Sequence, residues 1–93
     1  MNDVDQFAKD SLDFAKGMGW TKDWSRGGCY IHLEASEFIE SLRGKKGKPI
    51  EELGDVLMTV LSVAENYGLN PTEAMRKCRI KMDKLLAKKL EGE

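Results

Sequence analysis

At 93 residues the chain is expected to form a single domain, and a domain that small leaves much of its apolar surface near water unless a partner covers it. Its 15 basic and 16 acidic residues nearly cancel, which removes any global electrostatic drive towards nucleic acid or a membrane surface. Cys29 and Cys78 are too few for a disulfide framework and fit no zinc-binding spacing; with no secretion signal and no stretch near the ~20 apolar residues of a membrane span, a reduced cytoplasmic protein is expected.

In chain order, Val4, Phe7, Ala8, Ser11, Leu12, Phe14 and Ala15 recur at a helical period, which predicts a first helix from Val4 to Ala15 with Asn2 as its cap and Gly17 at its end. The four glycines and two tryptophans of residues 17–28 show no periodicity and predict a loop, long enough for so small a domain to suggest a role. A second helix is expected from about Tyr30 to Leu42, closed by the turn Gly44-Lys45-Lys46-Gly47-Lys48. Pro49 suits the first position of a third helix that runs to Tyr67 and stops at Gly68. Asn70-Pro71-Thr72-Glu73 opens a fourth, with Asn70 as cap and Glu73 at the capping-box position, reaching about Leu90. No strand-like alternation appears, and four helices joined mainly by short turns predict an all-α bundle.

The second helix carries Glu34 and Glu37, and the third carries Glu52 and Asp55. Residues three apart share a helix face, so an antiparallel pair can converge four carboxylates. Like charges gathered that closely repel unless a cation sits between them. Mg²⁺, with Mn²⁺ as a substitute, takes hard oxygen ligands together with phosphate oxygens and water, so this pattern suits a metal site for a polyphosphate. Acidic residues at helical spacing are most often a solvated face, and the macrodipole alone favours Glu51 and Glu52 in a first helical turn. Three features favour the metal reading. The third helix is apolar almost all round except for the strip Glu52, Asp55, Thr59, Ser62 and Asn66, and Gly54 costs about 1 kcal/mol in a helix interior. On the second helix, Glu34 and Glu37 border the apolar stripe, whereas Glu40 is expected to point further towards water.

On the fourth helix, Ala74, Met75, Cys78, Met82 and Leu85 form the expected packing seam, beside a stripe of Lys77, Lys81, Lys84 and Lys88. Lys77, Lys81 and Lys84 are candidates to neutralise phosphate charge; surface lysines with packed stems are the alternative, preferred for Lys88. Trp20 and Trp24 are candidates to stack on a nucleobase, although a loop tryptophan more often plugs a small core. His32 reads as a surface residue, and the sequence identifies no partner for the basic turn Arg43, Lys45, Lys46 and Lys48.

The run His32–Arg43 with Glu34-Ala-Ser-Glu37, then Glu51-Glu52-Leu53-Gly54-Asp55-Val56-Leu57, resembles the ExxE and ExxD signature of MazG-like all-alpha nucleotide pyrophosphohydrolases. The similarity continues through residues 67–75 into the lysines, so it covers about residues 30 to 85. The resemblance implies a MazG-like four-helix bundle completed by assembly into a homodimer or homotetramer. It implies a Mg²⁺-dependent hydrolase that splits a nucleoside triphosphate into monophosphate and pyrophosphate, often as house-cleaning of the nucleotide pool. It also implies Glu34, Glu37, Glu52 and Asp55 as metal ligands and catalytic carboxylates, with Lys77, Lys81 and Lys84 towards the phosphates. Leu33 stands where relatives commonly carry a further acidic residue, and Lys81 and Lys84 where they carry Asn and Arg. A dimeric-dUTPase-like hydrolase and a non-catalytic helical partner-binding module are the rival readings.

Overall fold

A computed structural model describes residues 2–26 and 31–92, leaving aside the side chains of Asp23, Ser25 and Arg26. These residues form α1 (Asp3–Gly17), a 3₁₀ helix (Trp20–Arg26), α2 (Ile31–Leu42), α3 (Pro49–Asn66) and α4 (Pro71–Glu91), with no strand among them. The all-α bundle expected from periodicity is therefore the observed architecture. Tyr30, expected in the second helix, and Cys29 lie outside the described residues.

The ends of the helices follow from local chemistry. Asn2 Oδ1 accepts the Asp5 backbone N–H at 2.8 Å and caps α1. Gly17 is the last residue of that helix, as expected, and Gly19 beyond it has a φ of +76° that an L side chain rarely adopts. Pro49 occupies the first turn of α3, and Gly68, at φ +71°, follows its end. Asn70 Oδ1 accepts the Glu73 N–H at 2.8 Å and caps α4. The reciprocal half of the expected capping box is not made, because the Glu73 carboxylate accepts two bonds from the Arg76 guanidinium, at 2.7 and 3.0 Å. A bidentate charge-assisted pair outcompetes a single neutral N–H donor for that carboxylate.

The central element is α3, which packs along both α1 and α2. Ala8, Leu12 and Ala15 of α1 are buried, and Trp24 of the 3₁₀ helix joins Leu12 and Ala15 with Val63 packed against them. The stretch read as a loop is thus largely helical, since an indole only 6 % exposed fixes its position on the core. Trp20 meets Phe14 edge to face, with ring centroids 5.4 Å apart.

The packing of α3 and α4 departs from what their apolar residues suggest. α3 is not an enclosed helix: Ile50, 76 % exposed, and Leu53, Leu57 and Val60 face outward within this chain. The seam expected on α4 (Ala74, Met75, Cys78, Met82, Leu85) is exposed throughout. Only the start of α4 is held, where Pro71 is buried and the Thr72 hydroxyl accepts from Asn2 Nδ2 at 2.7 Å and donates to Asp5 Oδ1 at 2.8 Å. From Glu73 to Gly92 every residue is exposed. The Cα radius of gyration is accordingly 16.0 Å, against about 12 Å for a compact domain of this length. No helix among the described residues is long and apolar enough to cross a membrane.

Because so few apolar side chains are buried, each matters. Leu12→Ala should destabilise the fold by about 2–4 kcal/mol in urea unfolding at fixed protein concentration; a loss below about 1 kcal/mol would contradict this account of the core.

Candidate functional site

The packing of α2 against α3 brings acidic side chains from both helices together. Glu34 and Glu37, one turn apart on α2, and Glu52 in the first turns of α3 each offer a carboxylate oxygen, all within 4.8 Å of one another. Glu34 and Glu52 are half-buried and Glu37 is exposed. Asp55, also exposed, lies outside that trio yet close enough for its charge to act on Glu34. Burial first, and then the charges of Glu37, Asp55 and Glu52, hold the Glu34 carboxyl above its ordinary value of 4.5.

One oxygen of Glu34 and one of Glu52 are buried without a hydrogen-bond partner. Buried carboxylate oxygens normally have donors, so the cluster is short of positive charge. Around an octahedral Mg²⁺ adjacent ligand oxygens stand about 3 Å apart and opposite ones about 4.2 Å, so the trio, within 4.8 Å, would draw inward to share one ion. The donor set, all hard carboxylate oxygens, therefore fits a divalent cation of that kind.

Glu52 owes its position partly to the turn before α3. Gly47 has φ +77°, and a Cβ built there would stand 2.5 Å from Glu52 Oε1, so only glycine lets the carboxylate lie back against the turn. By contrast, a Cβ at Gly54 would meet open space, and nothing in the packing of the described residues explains a glycine there.

Two cavities flank the cluster. The first, about 220 Å³, lies between α1, the 3₁₀ helix and the α2–α3 pair; Ser11, Trp20, Trp24, Leu33 and Glu34 line it, with Thr59 and Ser62 on the α3 side. Both tryptophans thus share a cavity wall with Glu34, Trp24 as a core plug and Trp20 from the rim. The polar strip read on α3 divides here: Thr59 and Ser62 reach the cavity, whereas Asn66 is exposed. The second cavity, about 650 Å³, has Glu37, Glu40, Lys45, Lys46, Gly47 and Glu52 on its walls.

The surroundings of the second cavity correct one expectation and extend another. Glu40 is more covered than Glu37, because Arg43 and Lys45 lie 3.6 and 4.0 Å from its carboxylate. The basic turn therefore has a partner, and Lys45 and Lys46 stand beside the acidic cluster, a placement missed in the sequence. Gly44 and Gly47, both at positive φ, bracket the two lysines and are the signal of a tight reversal that returns them towards α2 and α3. Lys77, Lys81 and Lys84 are exposed on α4 and line neither cavity; Lys77 stands 3.9 Å from Glu73. His32 is exposed, as expected.

The raised Glu34 pKa has a definite sign in stability. A carboxyl that holds its proton more tightly when folded contributes stability fully below its ordinary pKa, and that contribution is lost as pH rises through the raised one. In chelator, raising the pH from about 4 to about 7 should destabilise the wild type relative to Glu34→Gln, with the loss reversed by divalent cation. Parallel stability curves for the two proteins, measured by chemical unfolding, would contradict the electrostatic account.

Comparison with curated proteins and with solved structures finds no match. A protein-family model, the MazG nucleotide pyrophosphohydrolase domain, matches residues 28–85, a span that contains α2, α3, both cavities' acidic walls and most of α4. That match covers more than half the chain, and its descriptor names the chemistry that a carboxylate cluster suits. The chain belongs to the MazG nucleotide pyrophosphohydrolase domain family.

Proposed function

We propose that the protein is a Mg²⁺-dependent nucleoside triphosphate pyrophosphohydrolase, with Mn²⁺ able to substitute, releasing nucleoside monophosphate and pyrophosphate. The observation that carries this reading is the convergence of Glu34, Glu37 and Glu52, two of them with buried oxygens that lack a donor. Glu34, Glu37, Glu52 and Asp55 are the metal ligands in this reading. When bound, the metal supplies charge compensation to the triphosphate and lowers the pKa of the attacking water.

The chain's own groups do the rest. Water oxygen bonds to the α-phosphorus, the bond from that phosphorus to the bridging oxygen breaks, and pyrophosphate leaves with the electron pair. Glu37, the most exposed of the trio, is proposed to accept the water proton, because an exposed carboxylate can pass it on to solvent. Lys45 and Lys46 offer positive charge to the outer phosphates from the wall they share with Glu37 and Glu52. Trp20, on the rim, offers a face for the base, and Trp24, packed in the core, backs the same cavity.

Assembly is the second half of the proposal. Met82, Leu85, Leu86 and Leu90 on α4, and Ile50 and Leu57 on α3, are large apolar side chains left exposed. A second copy of the chain, as homodimer or homotetramer, would bury them. Lys77, Lys81 and Lys84 are proposed to contribute to phosphate binding in that assembled form, where α4 meets a neighbouring subunit. Work on the free nucleotide pool of the cytoplasm, as house-cleaning, is the role this chemistry implies.

Incubation with a panel of ribo- and deoxyribonucleoside triphosphates and Mg²⁺ should release pyrophosphate, not orthophosphate, and Glu37→Ala and Asp55→Ala should each lower turnover by about 10²-fold or more with helicity intact. Wild-type turnover in both variants would refute the site, and hydrolysis confined to uracil nucleotides would favour a dUTPase-like enzyme. Sedimentation equilibrium should return two or four copies; a stable monomer at micromolar concentration would contradict the assembly.

A further inference from the structure

Ser11 carries the single side-chain hydroxyl among the described residues that is buried without a hydrogen-bond partner. The residue is 3 % exposed, sits on the wall of the first cavity, and belongs to no part of the acidic signature. A buried hydroxyl left unpaired is destabilising, and native structures rarely keep one unless something else completes it. The other two hydroxyls on that cavity are already engaged as donors, Ser62 to the Thr59 carbonyl at 2.9 Å and Thr59 to the Asp55 carbonyl at 2.8 Å. Ser11 alone remains free to give as well as accept a hydrogen bond there.

The cavity itself narrows the choice of occupant. Its volume of about 220 Å³ is below the roughly 300–1,000 Å³ that hold a whole drug-sized ligand, so it takes one ring system and excludes an entire nucleotide. Two indoles and Leu33 make its walls mostly apolar. Glu34, shared with the metal cluster, closes one side, so a group attached to a ring seated here emerges beside the carboxylates.

Resting on the nucleotide reading above, we propose that Ser11 is a specificity-determining residue. Its hydroxyl hydrogen-bonds to the polar edge of the nucleobase seated in this cavity and so selects among bases. A base whose edge matches completes the hydroxyl, and one whose edge does not match leaves it buried and unpaired.

The test is isothermal titration of cytidine, uridine, adenosine and guanosine 5′-monophosphates, with Mg²⁺, into the wild type, Ser11→Ala and the near-isosteric Ser11→Cys. The wild type should prefer one base by about tenfold or more, Ser11→Ala should lose about that factor for the preferred base alone, and Ser11→Cys should compress the ranking. Ser41→Ala is the control, because Ser41 is equally buried but donates to the Phe38 carbonyl at 2.6 Å and lines neither cavity; it should leave the ranking unchanged. Equal weakening for all four bases, an unchanged ranking in Ser11→Ala and Ser11→Cys, or no binding of any monophosphate overturns the proposal. Pyrophosphate release measured alongside separates the two ideas. Hydrolysis with Ser11-independent base ranking removes this inference alone, and Ser11-dependent ranking without hydrolysis removes the hydrolase reading alone.

Discussion

Three glutamates from two adjacent helices each present a carboxylate oxygen within 4.8 Å of the others, and their mutual repulsion must be borne by the packing around them. The packing of α3 against both α1 and α2 does this. The strain is local and electrostatic: Glu34 holds its proton abnormally well, and buried oxygens of Glu34 and Glu52 lack donors. A polar arrangement that weakens a fold in this way is a common mark of a functional site.

The same scaffold separates two environments. Towards α1 and the 3₁₀ helix the walls are aromatic and aliphatic; towards the α2–α3 turn they are charged with both signs. The carboxylates stand on the boundary between them. A molecule with a flat apolar end and a polyanionic end matches that layout, and this match, beyond the family assignment, gives the nucleotide reading its physical basis.

The helices could be read from the sequence because their caps are local: Asn2, Asn70 and Pro49 act on backbone groups within one turn. Of the four carboxylates expected to converge, Glu34, Glu37 and Glu52 do so, since a short turn makes α2 and α3 neighbours, whereas Asp55 lies outside the trio. The positions of Lys45 and Lys46 were not legible, because their approach to Glu37 and Glu52 depends on the backbone of a turn with two positive-φ glycines. Ser11 was invisible as a polar site because it falls on the apolar face of α1, where a serine reads as a small core residue. The seam on α4 shows a further limit. An apolar stripe announces that a helix will be covered, but not whether its own chain does the covering, and here it does not.

The central claim, that these carboxylates form a divalent-metal site, is tested most directly by calorimetric titration of Mg²⁺ in buffers of different ionisation enthalpy. The account predicts saturable binding accompanied by proton release near the pKa of Glu34, with both lost in the Glu34→Gln/Glu52→Gln double variant. Binding that does not saturate, or that survives unchanged in that variant, would contradict it.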